Sequence, residues 1–104
     1  MNLGNTVTHL RERKQLKQGQ LAGLLGITQT YMSQIENNKK IPNMSLLEKI
    51  ATELSTPLPF LFFLSLDESD IPENKRQDFK LMEPGIKKYI GELMNIDGKE
   101  FGAS

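Results

Sequence analysis

The stretch QGQLAGLLGITQTYMSQIEN, residues 18–37, has the pattern of two short helices joined by a three-residue turn. Such a pair needs a small residue where the helices cross, a turn residue that tolerates positive φ, and apolar residues facing the body. Ala22 and Gly26 meet the first two needs, and no proline interrupts either helix. The inward apolar residues are Leu21, Ile27, Met32 and Ile35. The stretch therefore predicts a tightly packed two-helix unit whose second helix protrudes.

The second helix of this unit is polar but almost uncharged. In GITQTYMSQIENNKKIP, residues 26–42, most of the polar side chains are amides and hydroxyls, and the positive charge comes only at Lys39 and Lys40. With the apolar residues facing inward, helical geometry turns a set of polar residues outward: Gln29, Thr30, Ser33, Gln34 and Asn37. Glutamine can pair with adenine, and serine and threonine can bond to several bases. The outward face suits base edges, with a merely solvated polar face as the alternative.

Apolar spacing on either side completes five short helices over residues 1–64. Thr28 and Asn43 are expected to cap the third and fourth helices, Gly26 to end the second, and Pro59 to begin the fifth. The expected buried positions in the first, second and fourth helices are Leu3, Val7, Leu10; Leu21, Leu24, Leu25; and Met44, Leu47, Ile50, Ala51, Leu54.

The segment LRERKQLKQGQLAGLLGITQTYMSQIENNKKIPNMSLLEKIATEL resembles the Cro/CI-type helix-turn-helix domain, the XRE family of bacterial and phage regulators. The resemblance covers roughly residues 3–64. It rests on matching residue types at a series of positions along the segment and not on one short motif. It implies an all-α, five-helix, lambda-repressor-like DNA-binding domain whose third helix enters the major groove. Two positions depart from the family pattern: Lys17 replaces the usual Ser or Thr cap, and Asn38 stands where glycine is common.

The resemblance also implies roles for individual residues. The expected base contacts are Gln29, Thr30, Ser33 and Gln34. The expected phosphate contacts are Gln18, Thr28, Asn37, Lys39 and Lys40, although the two lysines also fit an ordinary solvated loop. Arg11 and Glu36 match positions that form a partly buried ion pair, which would tie the first helix to the end of the third.

The net charge of zero conceals two halves of opposite sign. Residues 1–64 contain seven basic and four acidic residues, whereas residues 65–104 contain six basic and nine acidic ones. A near-neutral chain can therefore still present a basic face to phosphates. The chain has no cysteine, which suits a reducing cytoplasm, and its longest apolar run, PLPFLFFLSL, is too short to span a membrane.

The sequence does not favour an enzyme. His9 is the only histidine and is expected to be an exposed helix residue. The chain carries no nucleophile-elbow, P-loop or dinucleotide-binding motif and no metal-ligand spacing. We therefore expect no catalytic residues, no cofactor and no metal.

Residues 67–104 form a second region that begins with the acidic linker DESDIPEN. Asp70 and Glu73 resemble a capping box, and Pro84 is expected to kink or split the helix that follows. That helix carries an apolar stripe at 3–4 spacing: Phe79, Met82, Ile86, Tyr89 or Ile90, and Leu93. The stripe suits either a dimer interface or packing within the chain against Phe60, Phe62 or Phe63, whereas the end, NIDGKEFGAS, is expected to fray.

These features together predict a cytoplasmic, homodimeric, sequence-specific regulator of transcription that binds double-stranded DNA. Repression is favoured over activation. The sequence shows no ligand-binding or protease domain, so we expect no small-molecule switch within this chain. The domain boundary is expected at residues 66–67. The alternative is an antitoxin-like or regulatory protein whose C-terminal extension binds another protein.

Overall fold

A computed structural model describes residues 1–95 as an all-helical protein without a strand in that range. Its helices are α1 (Leu3–Arg13), α2 (Gln18–Leu25), α3 (Gln29–Glu36), α4 (Met44–Glu53), α5 (Leu58–Ser65) and α6 (Arg76–Leu93). Two single 3₁₀ turns, Glu68–Asp70 and Glu73–Lys75, lead into α6. The predicted all-α architecture of five helices and a helical extension is confirmed. The expected fraying of the tail beyond residue 95 lies outside the described residues.

Local signals in the sequence fix the helix ends. The side-chain oxygens of Thr28 and Asn43 accept the backbone N–H groups of Tyr31 and Leu46 at 3.0 and 2.9 Å, so both predicted caps are present. Gly26 ends α2 in the left-handed conformation, at φ 71°, which a residue without Cβ adopts at little cost. These caps satisfy backbone groups that a short helix would otherwise leave unpaired.

One apolar core holds α1 to α5 together. Its completely buried side chains include Val7 of α1, Leu21 of α2, Ile35 of α3, Ile50 of α4 and Leu61 of α5. A single residue of α6, Ile90, joins this cluster. The core thus holds the two-helix unit of α2 and α3 against the other helices.

Two predicted core residues are instead exposed. Leu24 and Met44 keep 56% and 54% of their surface in solvent, and Leu46 is buried in α4. Leu24 borders an open groove that is also lined by Ser45 and Lys49 of α4. The prediction was wrong because a short helix buries only the narrow face that its neighbours cover. Between α2 and α4 an open groove remains, so the Leu24 side chain stays in solvent.

The linker and the start of α6 also differ from the prediction. Asp67, not Asp70, begins a capping box: its side chain accepts the N–H of Ser69 at 2.9 Å, and Asp70 accepts the N–H of Asp67 at 3.0 Å. α6 runs without interruption through Pro84, so it is not split into two helices. Pro84 leaves the carbonyl of Lys80 without its helical partner, and both residues are exposed. Water can therefore satisfy that carbonyl.

α6 rests on the body with a largely polar face. Glu83 and Lys87 are buried there together with Ile90 and Gly91. The Lys87 ammonium lies 3.3 Å from Oε2 of Glu83 and donates to the Leu66 carbonyl at 3.3 Å. The extension is therefore held by ionic and backbone contacts as well as by Ile90.

The predicted apolar stripe of α6 mostly faces solvent. Met82, Ile86, Tyr89 and Leu93 are exposed, and Phe79 is half-buried. Ile90 is 6% exposed and belongs to the core, so Tyr89 and not Ile90 continues the exposed stripe. Phe60, Phe62 and Phe63 pack against the core cluster of α1 to α5. Within residues 1–95 no helix combines the length and apolarity needed to cross a membrane.

Candidate nucleic-acid interface

The two-helix unit has the predicted tight geometry. Ala22 is 2% exposed at the inner side of α2, and Met32 is completely buried at the inner side of α3. Gly26, Ile27 and Thr28 make the turn, and Thr28 caps α3 from an extended backbone conformation. The turn therefore holds the outer face of α3 away from the core.

The four expected base contacts lie on that outer face. Gln29 and Thr30 are exposed, and Ser33 and Gln34 are half-buried. The carboxamide of Gln29 lies over Gly19 of α2, where an added Cβ would be 3.1 Å from its Oε1. The glycine thus leaves room for the Gln29 side chain between the starts of α2 and α3. The face combines amide and hydroxyl groups that can donate and accept hydrogen bonds.

The expected phosphate contacts surround this face on two sides. Thr28 lies at the start of α3, and Asn37, Lys39 and Lys40 follow its end; all four are exposed. The Asn37 amide donates to the Ser33 carbonyl at 2.9 Å. The backbone N–H groups of Lys39 and Lys40 donate to the carbonyl of Gln34 at 2.8 and 3.2 Å. The backbone of both lysines is therefore held close to the last turn of α3.

An ion pair anchors the end of α3 to α1. Nε and Nη2 of Arg11 donate to the two carboxylate oxygens of Glu36 at 2.7 and 3.0 Å. Nη1 of Arg11 donates to the Leu16 carbonyl at 2.8 Å. The hydrogen bonds to Glu36 raise the pKa of Arg11 above its ordinary value. The paired geometry fixes the orientation of α3 as well as its position.

Gln18 takes part in this anchor. Its side-chain amide donates to Oε1 of Glu36 at 3.1 Å, and the residue is half-buried. The expected phosphate contact therefore has to come from its remaining amide N–H or from the backbone N–H groups at the start of α2. Lys17, which precedes it, is exposed, and its backbone N–H donates to the Gln20 side chain at 2.7 Å.

The sequence interpretation missed a second anchor at the same end of α3. Gly4 of α1 lies directly against α3: a Cβ there would be 2.3 Å from the Glu36 carbonyl oxygen. Asn38 follows at φ 60°, and its side-chain oxygen accepts the N–H of Gly4 at 2.9 Å. The sequence did contain a signal for this contact. Gly4 lies within an amphipathic helix, and a glycine in that position often marks a close approach of two backbones.

No group of metal-binding side chains occurs within residues 1–95. The exposed groups of the face are amides, hydroxyls and ammonium ions. The arrangement can form hydrogen bonds to a polar surface and ion pairs with anions, and both suit a duplex groove bordered by phosphates.

The chain matches the model of a family described as helix-turn-helix over residues 9–61. It is 37% identical over 59 residues to the ImmF control region 10 kDa protein of Bacillus phage phi105, an alignment that covers 57% of this chain and 66% of that protein. It is 34% identical over 70 residues to the HTH-type transcriptional regulator SutR of Escherichia coli (strain K12), covering 67% of this chain and 38% of the regulator. The matched region is thus less than two thirds of each relative. No solved structure is a significant match.

Proposed function

We propose that this chain binds double-stranded DNA and regulates transcription. The proposal starts from the family to which the chain belongs, the helix-turn-helix family. One observation carries the proposal: an uncharged hydrogen-bonding face on α3 is bordered by two exposed lysines and anchored at its end to α1. One of the similar proteins is a transcriptional regulator, which supports the same function.

In the proposed complex α3 lies in the major groove. Gln29, Thr30, Ser33 and Gln34 contact base edges, since their side chains form the outer face. Thr28, Asn37, Lys39 and Lys40 contact phosphates on either side, together with the start of α2 at Gln18. The phosphates supply most of the affinity, and the base contacts supply the preference for one sequence.

The proposed regulator acts as a homodimer and as a repressor. One such domain covers about half of an operator, too little surface for tight specific binding. A symmetric dimer would place two copies of α3 about 34 Å apart, one turn of DNA. The exposed residues Met82, Ile86, Tyr89 and Leu93 supply an apolar surface for this contact. Repression follows most simply from occupying the operator.

The second candidate function uses the same stripe differently. An exposed row of apolar side chains on α6 also fits an amphipathic helix of another protein. In that case the protein would be antitoxin-like, with DNA binding serving autoregulation. The two functions differ in whether the purified chain dimerises by itself.

In vitro selection from a random duplex library tests the proposal. The expected result is a recurrent site with two inverted halves about one DNA turn apart. Affinity for that site should fall steeply with salt, because binding releases counterions from the phosphates. Selection of no recurrent sequence would contradict base reading, and a single half-site would contradict the symmetric dimer.

A further inference from the structure

Asn38 connects the end of α3, the helix proposed to contact base edges, to the start of α1. Its Oδ1 accepts the backbone N–H of Gly4 at 2.9 Å, and its Nδ2 donates to Oδ1 of Asn2 at 2.8 Å. An N–H can only donate, so the oxygen of Asn38 must face Gly4 and its amide nitrogen must face Asn2. The geometry therefore fixes the orientation of this side chain.

Asn2 is held independently of Asn38. Its side-chain oxygen also accepts the N–H of Asn5 at 3.2 Å and so caps α1. Its backbone N–H donates to the Ser65 carbonyl at the end of α5, at 2.7 Å. Asn2 thus offers Asn38 a contact that is fixed to two helices of the body.

The conformation of Asn38 indicates that its side chain has a specific task. The residue has φ 60°, where glycine is the least strained choice, although asparagine tolerates this region better than most residues. A glycine would keep the turn and lose both side-chain contacts. Lys39 and Lys40 follow directly, so whatever fixes Asn38 also limits where their charges lie.

We infer that Asn2 and Asn38 are positioning residues that hold the loop of Lys39 and Lys40 against the DNA backbone. This role rests on the proposed DNA binding and deepens it. The hydrogen-bonded side chains of Asn2 and Asn38, here called the clamp, confine the loop before DNA binds. Less conformational entropy is therefore lost when the lysines contact phosphates. Neither asparagine needs to contact DNA for this purpose.

The test compares Asn38→Gly and Asn2→Ser with the full-length wild type. Glycine keeps the left-handed turn, and serine keeps the helix cap while it is too short to reach Asn38. Both variants should therefore fold, which circular dichroism and a urea titration would verify. The first readout needs no DNA: amide hydrogen exchange at Lys39 and Lys40 should be several times faster in both variants.

The second readout is binding to the selected duplex and to a scrambled duplex over a range of salt concentrations. Asn2→Ser removes one hydrogen bond of Asn38 and should lose about fivefold in affinity for each duplex, and Asn38→Gly removes both and should lose at least as much. Lys39→Ala should cost less in the Asn38→Gly background than in the wild type, because its charge is then poorly positioned. The slope of log affinity against log salt concentration should become shallower, by up to about the amount expected for the loss of one phosphate contact.

Two failures can be distinguished. Unchanged exchange at Lys39 and Lys40, or wild-type affinity in both variants, would overturn the clamp. The clamp would also be overturned if the losses of binding free energy caused by Asn38→Gly and Lys39→Ala were fully additive in the double variant. A wild type that binds no duplex would instead overturn the proposed function, and the exchange rates would still decide whether the clamp exists.

Discussion

Gly4 and Glu36 bring α1 and α3 into backbone contact: a Cβ on Gly4 would lie 2.3 Å from the Glu36 carbonyl oxygen and 2.7 Å from its carbon. Two helices approach this closely only where one has no side chain. The end of α3 is consequently held by a main-chain contact in addition to the Arg11 ion pair and Asn38.

Gly4→Ala should destabilise the protein by about 1–3 kcal/mol, because the new methyl group meets backbone atoms that cannot rotate away. This is the opposite of what alanine does in most helices. Gly23→Ala is the matched control: its Cβ would have no atom within 4 Å. That substitution should stabilise α2 by up to about 1 kcal/mol. Urea unfolding measures both, and equal effects of the two substitutions would contradict the close contact.

Arg11→Ala should lower the free energy of unfolding by about 3 kcal/mol, because it leaves the Glu36 carboxylate buried with only the Gln18 amide as a partner. The side chains of Arg11 and Glu36 are 12% and 5% exposed, so solvent screens this pair little. Arg11→Lys keeps the charge but loses the two parallel hydrogen bonds, and it should recover only part of the stability. Equal free energies of unfolding for Arg11→Ala and the wild type in urea would show that the ion pair does not stabilise the fold.

Lys87→Met should loosen α6, because it leaves Glu83 as a buried carboxylate without its cation. Amide hydrogen exchange in α6 should become faster while exchange in α2 to α4 changes little. The neighbouring Lys88 is exposed, so Lys88→Met is the matched control and should leave exchange unchanged. Similar protection of α6 in both variants would mean that the ion pair does not hold the extension.

Tyr89→Glu should weaken the proposed homodimer, because it places a charge in the centre of the exposed stripe of α6. Tyr89 is 63% exposed, so the fold of the single chain should be retained. Leu81 is 81% exposed but projects from a different side of α6. Leu81→Glu is therefore the control for a charge outside the stripe. Sedimentation equilibrium should show dissociation only for Tyr89→Glu; equal dimerisation of both variants would exclude the stripe as the interface.

Much of the helix-turn-helix domain could be predicted from local sequence signals. Thr28, Asn43 and Gly26 each determine a helix end by chemistry that involves only neighbouring residues, and the structure contains all three. The partly buried pair of Arg11 and Glu36 came from the family resemblance, and the structure contains that pair too.

What could not be predicted depends on which helix covers which face. Leu24 and Met44 have the spacing of core residues, yet no neighbouring helix covers them. Glu83 and Lys87 would be assigned to solvent by their charge, but they pair with each other under α6. Gly4 and Asn38 lie 34 residues apart, so their contact became visible only in the folded chain.

In the proposed complex α3 contacts base edges while the loop of Lys39 and Lys40 contacts phosphates. Titration of the selected duplex and a scrambled duplex with wild type, Gln34→Ala and Lys39→Ala tests this most directly. Gln34→Ala should lose about 1–3 kcal/mol on the selected duplex and little on the scrambled one, whereas Lys39→Ala should weaken both alike. Equal affinity of Gln34→Ala and the wild type for the selected duplex would contradict the claim.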